Sequence, residues 1–194
     1  GRGKKGVGFL YAVGNAGSKH LEAEHDTAFE RPNAAPEIGI TKPINRLYLK
    51  GQIDRIVKAQ NHWALVDSLI LCKFIAPIRA MTFEEMLEMT NLATGREYTL
   101  EDLMAVGERA LNIGRAFNVR EGIRRKDDTL PERFLKEPMP EGPGKGQVVN
   151  LDIMLDEYYE LRGWNKETGI PTKEKLKELG LNFVINDLEK RGIL

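Results

Sequence analysis

The sequence predicts an all-α fold, an irregular multi-helix domain with long ordered loops. Three observations carry this. Apolar residues recur at three- and four-residue steps from Ile53 to Leu71 and again from Leu100 to Phe117. Threonines followed by acidic residues mark helix starts at Thr82 and Thr99. No stretch alternates polar and apolar residues as a half-buried strand would, and no internal repeat is visible.

Taken in order, residues 7–13 are small and apolar and lead into Gly14-Asn15-Ala16-Gly17-Ser18-Lys19-His20. Spacing alone makes this a short helix and a turn, although glycines also allow a backbone to approach a ligand closely. His20 and His25 lie five residues apart and do not share a helical face, so they do not form a metal pair by themselves. A single histidine acting as acid or base stays open. Prolines at 32, 36 and 43 make Phe29 to Ile44 a long connection.

The helix ending near Asp67 has the strongest pattern. Ile53, Ile56, Val57, Gln60, Ala64, Asp67 and Leu71 make one face, which puts Asp67 near the middle of a buried stripe. A buried carboxylate needs a partner. Cys72, the single cysteine, lies about 140° further round an unbroken helix. Both reach one ligand only if the helix ends or unwinds between them, and Pro77 stops it soon after.

Thr82-Phe83-Glu84-Glu85 opens a helix running to about Thr94, with Gly95 as its C′ residue. The next begins at Thr99 and has Gly107 and Gly114 on its apolar face, which suggests close packing against another helix. Asn118 to Thr129 reads as a solvated loop with internal ion pairing. Thr129 to Arg133 reads as a short helix with proline in its first turn. Glu137 to Gly146 is an extended arm or linker. Asn150 is placed to cap a helix stopped at Gly163, Thr172 one ended by Gly180, and Leu181–Arg191 suffices for a last helix.

The totals exclude several classes of function. Lysine plus arginine equals aspartate plus glutamate at 29 each, so the field expected of a nucleic-acid binder is missing. One cysteine makes no internal disulfide, which points to the cytoplasm. No apolar run approaches the roughly 20 residues that span a bilayer. The opening Gly1-Arg2-Gly3-Lys4-Lys5-Gly6 has neither an initiator methionine nor a signal-peptide core, suggesting a piece of a longer protein.

Asp67-Ser68-Leu69-Ile70-Leu71-Cys72 follows a motif Asp-x-x-Gly-Leu-Cys except at Ile70, and by it the chain resembles the C-terminal (third) domain of the tungsten-containing aldehyde:ferredoxin oxidoreductase family. Further matches are Lys126-Asp127-Asp128-Thr129-Leu130-Pro131, Pro138-Met139-Pro140-Glu141-Gly142-Pro143, Tyr158-Tyr159-Glu160-Leu161-Arg162-Gly163-Trp164 and Gly169-Ile170-Pro171. The likeness covers nearly the whole chain, read as one domain over residues 1–194.

The resemblance implies a tungsten or molybdenum bis-pterin beside a [4Fe-4S] cluster, oxidation of an aldehyde to a carboxylic acid, and electron delivery to ferredoxin. By this likeness Cys72 is the cluster ligand contributed by the last domain. Asp67 hydrogen-bonds a pterin ring, the backbone around Leu71 touches it, and a histidine, His20 in preference to His25, serves proton transfer. The remaining domains of the same enzyme supply three more thiolates, and the isolated domain is expected to be inactive. The alternative is a non-catalytic helical interaction module that keeps only the fold. Isoleucine at position 70, where the family has glycine, resists positive φ. Either the bend there uses ordinary angles or the pterin is held differently. The cofactor reading also requires Asp67 and Cys72 to be open to the surface, with Cys72 a free thiol near a concavity.

Overall fold

The computed structural model describes residues 1–49 and 51–194. Eight α-helices occur among these: α1 (Lys5–Val13), α2 (Gln52–Ser68), α3 (Phe83–Thr94), α4 (Leu100–Arg120), α5 (Glu132–Lys136), α6 (Leu151–Arg162), α7 (Lys173–Glu178) and α8 (Asn182–Lys190). Three short 3-10 helices (Asp26–Phe29, Pro36–Ile38 and Arg125–Asp127) and a few isolated β-bridges complete the regular structure of the described residues.

Helix α2 is the central element and packs on α1, α4 and α6. It is buried on nearly every side, with Ile53, Ile56, Ala59, Trp63, Leu65 and Val66 all closed to solvent. Gly107 sets its closest contact, since a Cβ there would collide with the carbonyl oxygen of Asn61. Gly114 serves a different neighbour. It makes room for Asn15, whose side-chain amide donates to the Leu111 carbonyl at 3.0 Å. One of the two glycines thus packs on a helix and the other on the loop after α1.

Three polar networks stitch the helices together. The Asp26 carboxylate accepts from the amides of Gly6 and Val7 at 2.9 Å, capping the first turn of α1, and pairs with buried Arg55 at 2.9 Å. Arg162 of α6 donates to Gln60 (2.8 Å) and Asn61 of α2, and the Tyr158 hydroxyl donates to the same Gln60 oxygen. Asp128 receives both ends of the Arg115 guanidinium at 2.7 and 2.8 Å and the Tyr159 hydroxyl. Burial and the adjoining carboxylate push the Tyr159 phenol well above its ordinary pKa.

The last network corrects the solvated-loop expectation for Asn118 to Thr129. Asp128 is buried, and its partner comes from α4 rather than from the loop. The match motifs around Tyr159, Trp164 and Gly169 converge here, because Arg115 also donates to the Gly169 carbonyl at 2.8 Å and stacks on Trp164.

Helix ends largely follow the sequence. Thr82 and Thr99 form capping boxes with Glu85 and Asp102, and Gly95 takes the left-handed C′ conformation. Thr172 caps α7. Asn150 does not cap α6; its side-chain oxygen receives Lys5 instead, at 2.8 Å. The Glu137–Gly146 arm lies on the amino-terminal segment, where Arg2 donates to the Glu137 carbonyl at 2.7 Å. A second, smaller core of Ala116, Val119, Leu176, Leu181, Val184, Ile185 and Leu188 joins α7 and α8 to the end of α4.

Candidate functional site

The site is built on the carboxyl end of α2. The amide of Leu71 reaches back to the Val66 carbonyl at 3.0 Å, and that of Ile70 to the Asp67 carbonyl at 3.1 Å. These are the two bonds of a Schellman ending, which turns the chain sharply out of the helix. Ile70 occupies the left-handed position, with φ +59°. The bend therefore uses the angles glycine would use, against the resistance expected of isoleucine. It is possible because the side chain is 92% exposed, so nothing packs against it while the two backbone bonds hold the turn.

The helix ends at Ser68, between Asp67 and Cys72, so Cys72 follows directly on the turn that contains Asp67. Asp67 is not in a buried stripe; its side chain is 61% exposed. The apolar face carried through Ile53, Ile56 and Gln60 drifts onto Trp63 and Val66, and Asp67 falls outside it. Its partner is Lys73, at 2.8 Å, rather than a residue of a neighbouring helix. Leu71 is half-buried against the main core. Cys72 is an exposed free thiol. Its carbonyl accepts from the amides of Ile75 and Ala76, so the following turn is fixed as well. Close to it in sequence are three exposed apolar side chains, Ile70, Phe74 and Ile75.

The segment bearing the two histidines lies against this turn. Lys73 donates to the Leu21 carbonyl at 2.9 Å. Arg79 forms a two-pronged pair with buried Glu24 at 2.6 and 2.9 Å, and stacks on Trp63 and Phe74. Backbone adjoining His20 is thereby held to the residue that follows Cys72. Both ring nitrogens of His25 have neighbours, Lys4 Nζ at 3.5 Å and the His20 carbonyl at 3.3 Å. Burial, with the Lys4 charge, lowers its pKa. His20 is exposed, its ring edge-on to that of His25 at 5.8 Å.

Sequence reasoning gave Lys73, Glu24 and Arg79 no role. No local pattern marks the ties of Lys73 to Leu21 and of Arg79 to Glu24, which join residues more than 50 positions apart. It also passed over His62 on α2, which is fully buried against Phe83 with neither ring nitrogen hydrogen-bonded. Burial takes its pKa down to about 4, partly offset by the Glu24 carboxylate.

The donor set fits one corner of a metal site. A lone accessible thiol can ligate one iron of a cluster, whereas the described residues contain no group of three His, Cys, Asp or Glu side chains able to hold a metal ion. A cavity of about 580 Å³ is lined by Asp128, Thr129, Asn150 and Leu151, and Cys72 does not line it. Among the described residues no helix is long and apolar enough to cross a membrane.

The chain is similar to known proteins over most of its length. A family model described as aldehyde ferredoxin oxidoreductase, domains 2 and 3, matches residues 1–181. The tungsten-containing aldehyde ferredoxin oxidoreductase of Pyrococcus furiosus is 39% identical over 183 residues, covering 93% of this chain and 28% of that protein. That of Thermococcus kodakarensis is 38% identical with the same coverage of each. A solved chain of the active-site complex BamBC of benzoyl coenzyme A reductase, in complex with 1,5-dienoyl-CoA, shares the fold. Its TM-score is 0.71 at 24% identity, over 98% of this chain and 32% of that one. The chain thus spans under a third of the length of these relatives.

Proposed function

Because the chain belongs to the aldehyde ferredoxin oxidoreductase family, we propose that it is the helical C-terminal domain of a tungsten or molybdenum bis-pterin oxidoreductase. The whole enzyme oxidises an aldehyde to a carboxylic acid and passes the electrons through a [4Fe-4S] cluster to ferredoxin. This part contributes one wall of the cofactor chamber and is inactive without the rest.

The observation that carries the reading is the turn itself. A free, exposed thiol follows directly on a Schellman ending that also presents a carboxylate, with exposed Ile70, Phe74 and Ile75 close to it in sequence. Exposed apolar side chains of this size suit a face that is covered in a larger protein. The bound groups would supply two-electron oxidation and one-electron transfer.

This chain's residues do the rest. Cys72 would be the one cluster ligand given by this domain, with the three others from the remainder of the enzyme. The Asp67 carboxylate would accept a hydrogen bond from a pterin N–H, and the backbone at Leu71 would line the same ring. His20 would hold or release the proton exchanged at the substrate carbonyl.

In the full-length protein, Cys72→Ala should remove or degrade the electron paramagnetic resonance signal of the reduced cluster and lower the iron content. An unchanged spectrum at full iron stoichiometry would overturn the ligand role. A full reading frame carrying no C-x-x-C-x-x-x-C pattern would favour the interaction module.

A further inference from the structure

Lys73 has no part in the roles given above, yet it has more well-defined contacts than an ordinary surface lysine. Its side chain is only 20% exposed. The ammonium lies 2.8 Å from Asp67 Oδ2, donates to the Leu21 carbonyl at 2.9 Å, and sits 4.9 Å from the centroid of the Trp63 ring. Trp63 is itself buried, so the cation rests on a fixed platform.

Each contact belongs to a different part of the site. Leu21 follows His20, Asp67 lies in the last turn of α2, and Lys73 follows Cys72 directly. An ammonium carries three donors on one point charge and can serve two oxygens while lying over a ring. The charge also has electrostatic work there. Asp67 places a carboxylate at the end of α2 where the helix carbonyls are already negative, and Lys73 offsets both.

We propose that Lys73 is a positioning residue that holds the His20–Leu21 backbone and the Asp67 carboxylate in fixed register with the Cys72 thiol. The proposal rests on the function given above for those three residues. Arg79 is a second tie to the same segment, but it grips Glu24, three residues beyond Leu21, and leaves Leu21 to Lys73.

The test compares Lys73→Met, Lys73→Arg and Cys72→Ala in the full-length enzyme. Methionine keeps the stem over Trp63 and removes the ammonium. Hydrogen exchange of residues 15–25 should quicken about tenfold or more in Lys73→Met, the scale of one lost charge-assisted bond. Exchange at residues 151–162 and the iron content should stay parental, kcat should fall by more than KM changes, and Lys73→Arg should recover most of both losses. Parental exchange at residues 15–25, or parental kcat, in Lys73→Met would overturn the proposal and leave Lys73 a surface ion pair. Should Lys73→Met unfold, seen as fast exchange at 151–162 as well, Lys73→Gln is read by the same criteria. Cys72→Ala separates the two claims. Retention of its iron would defeat the cluster-ligand reading, while the exchange result still decides the clamp.

Discussion

Leu71 donates its amide to the carbonyl of Val66 at 3.0 Å, and this bond, with that from Ile70 to Asp67, holds the residue before Leu71 in left-handed backbone. That residue is Ile70, whose β-branched side chain gains nothing in return, being 92% exposed. Left-handed backbone costs an L-residue about 1–2 kcal/mol, and glycine gives back roughly half of the relief as unfolded-state entropy. Ile70→Gly should therefore stabilise the chain by about 1 kcal/mol. Urea unfolding checks this, and an unchanged or lower midpoint would mean that the turn carries no strain.

Asp128 should matter far more than its neighbours in sequence. Its carboxylate is buried and satisfies both ends of Arg115 together with the Tyr159 hydroxyl. Asp128→Asn leaves a buried guanidinium without its counter-charge, which should cost about 3 kcal/mol. Tyr159→Phe removes one hydroxyl and should cost about 1 kcal/mol. Unfolding of the two variants side by side measures both, and similar small losses would show that solvent reaches Arg115.

Much of the fold was legible because its signals are local. A threonine, the acidic residue three positions on and a glycine at the far end specify α3 almost completely, and they do so within 14 residues of sequence. The exposure of Asp67 escapes the pattern because, within α2, the face drawn through Ile53, Ile56 and Gln60 drifts onto Trp63 and Val66, so Asp67 falls beside it. Asp128 was misjudged for a related reason. Its loop looks self-neutralising, and nothing within it reveals that Arg115 arrives from α4. The clamp at Lys73 joins residues 52 positions apart, a relation no local pattern encodes.

His62 makes stability depend on pH. Its folded pKa, about 4, lies below the ordinary histidine value of 6.5 because burial disfavours the charged ring. Above pH 6.5 the ring is neutral in both states and no penalty arises. As pH falls through 6.5 towards 4 the unfolded chain takes up a proton that the folded chain refuses, so stability is lost across that window. The loss levels off near about 3 kcal/mol once both states are protonated. Unfolding free energies at pH 7.5 and 4.5 should differ in the parent, and His62→Phe should remove most of that difference. An equal slope in the variant would assign the acid sensitivity to the carboxylates.

His20 and His25 should separate in function although their rings touch. His25 has neighbours at both ring nitrogens, and burial with Lys4 holds its pKa down, so it is suited to bracing the segment. His20 is exposed, and its carbonyl braces His25 while its ring stays at the surface. In the full-length enzyme, His20→Ala should lower kcat about a hundredfold or more, the usual scale for a lost proton-transfer group. Tungsten and iron contents should remain at parental values. His25→Ala should lower stability first, with kcat reduced by a smaller factor. Steady-state kinetics with metal analysis of both variants decides the matter, and full turnover in His20→Ala would pass the proton-transfer role to His25 or to a residue outside this domain.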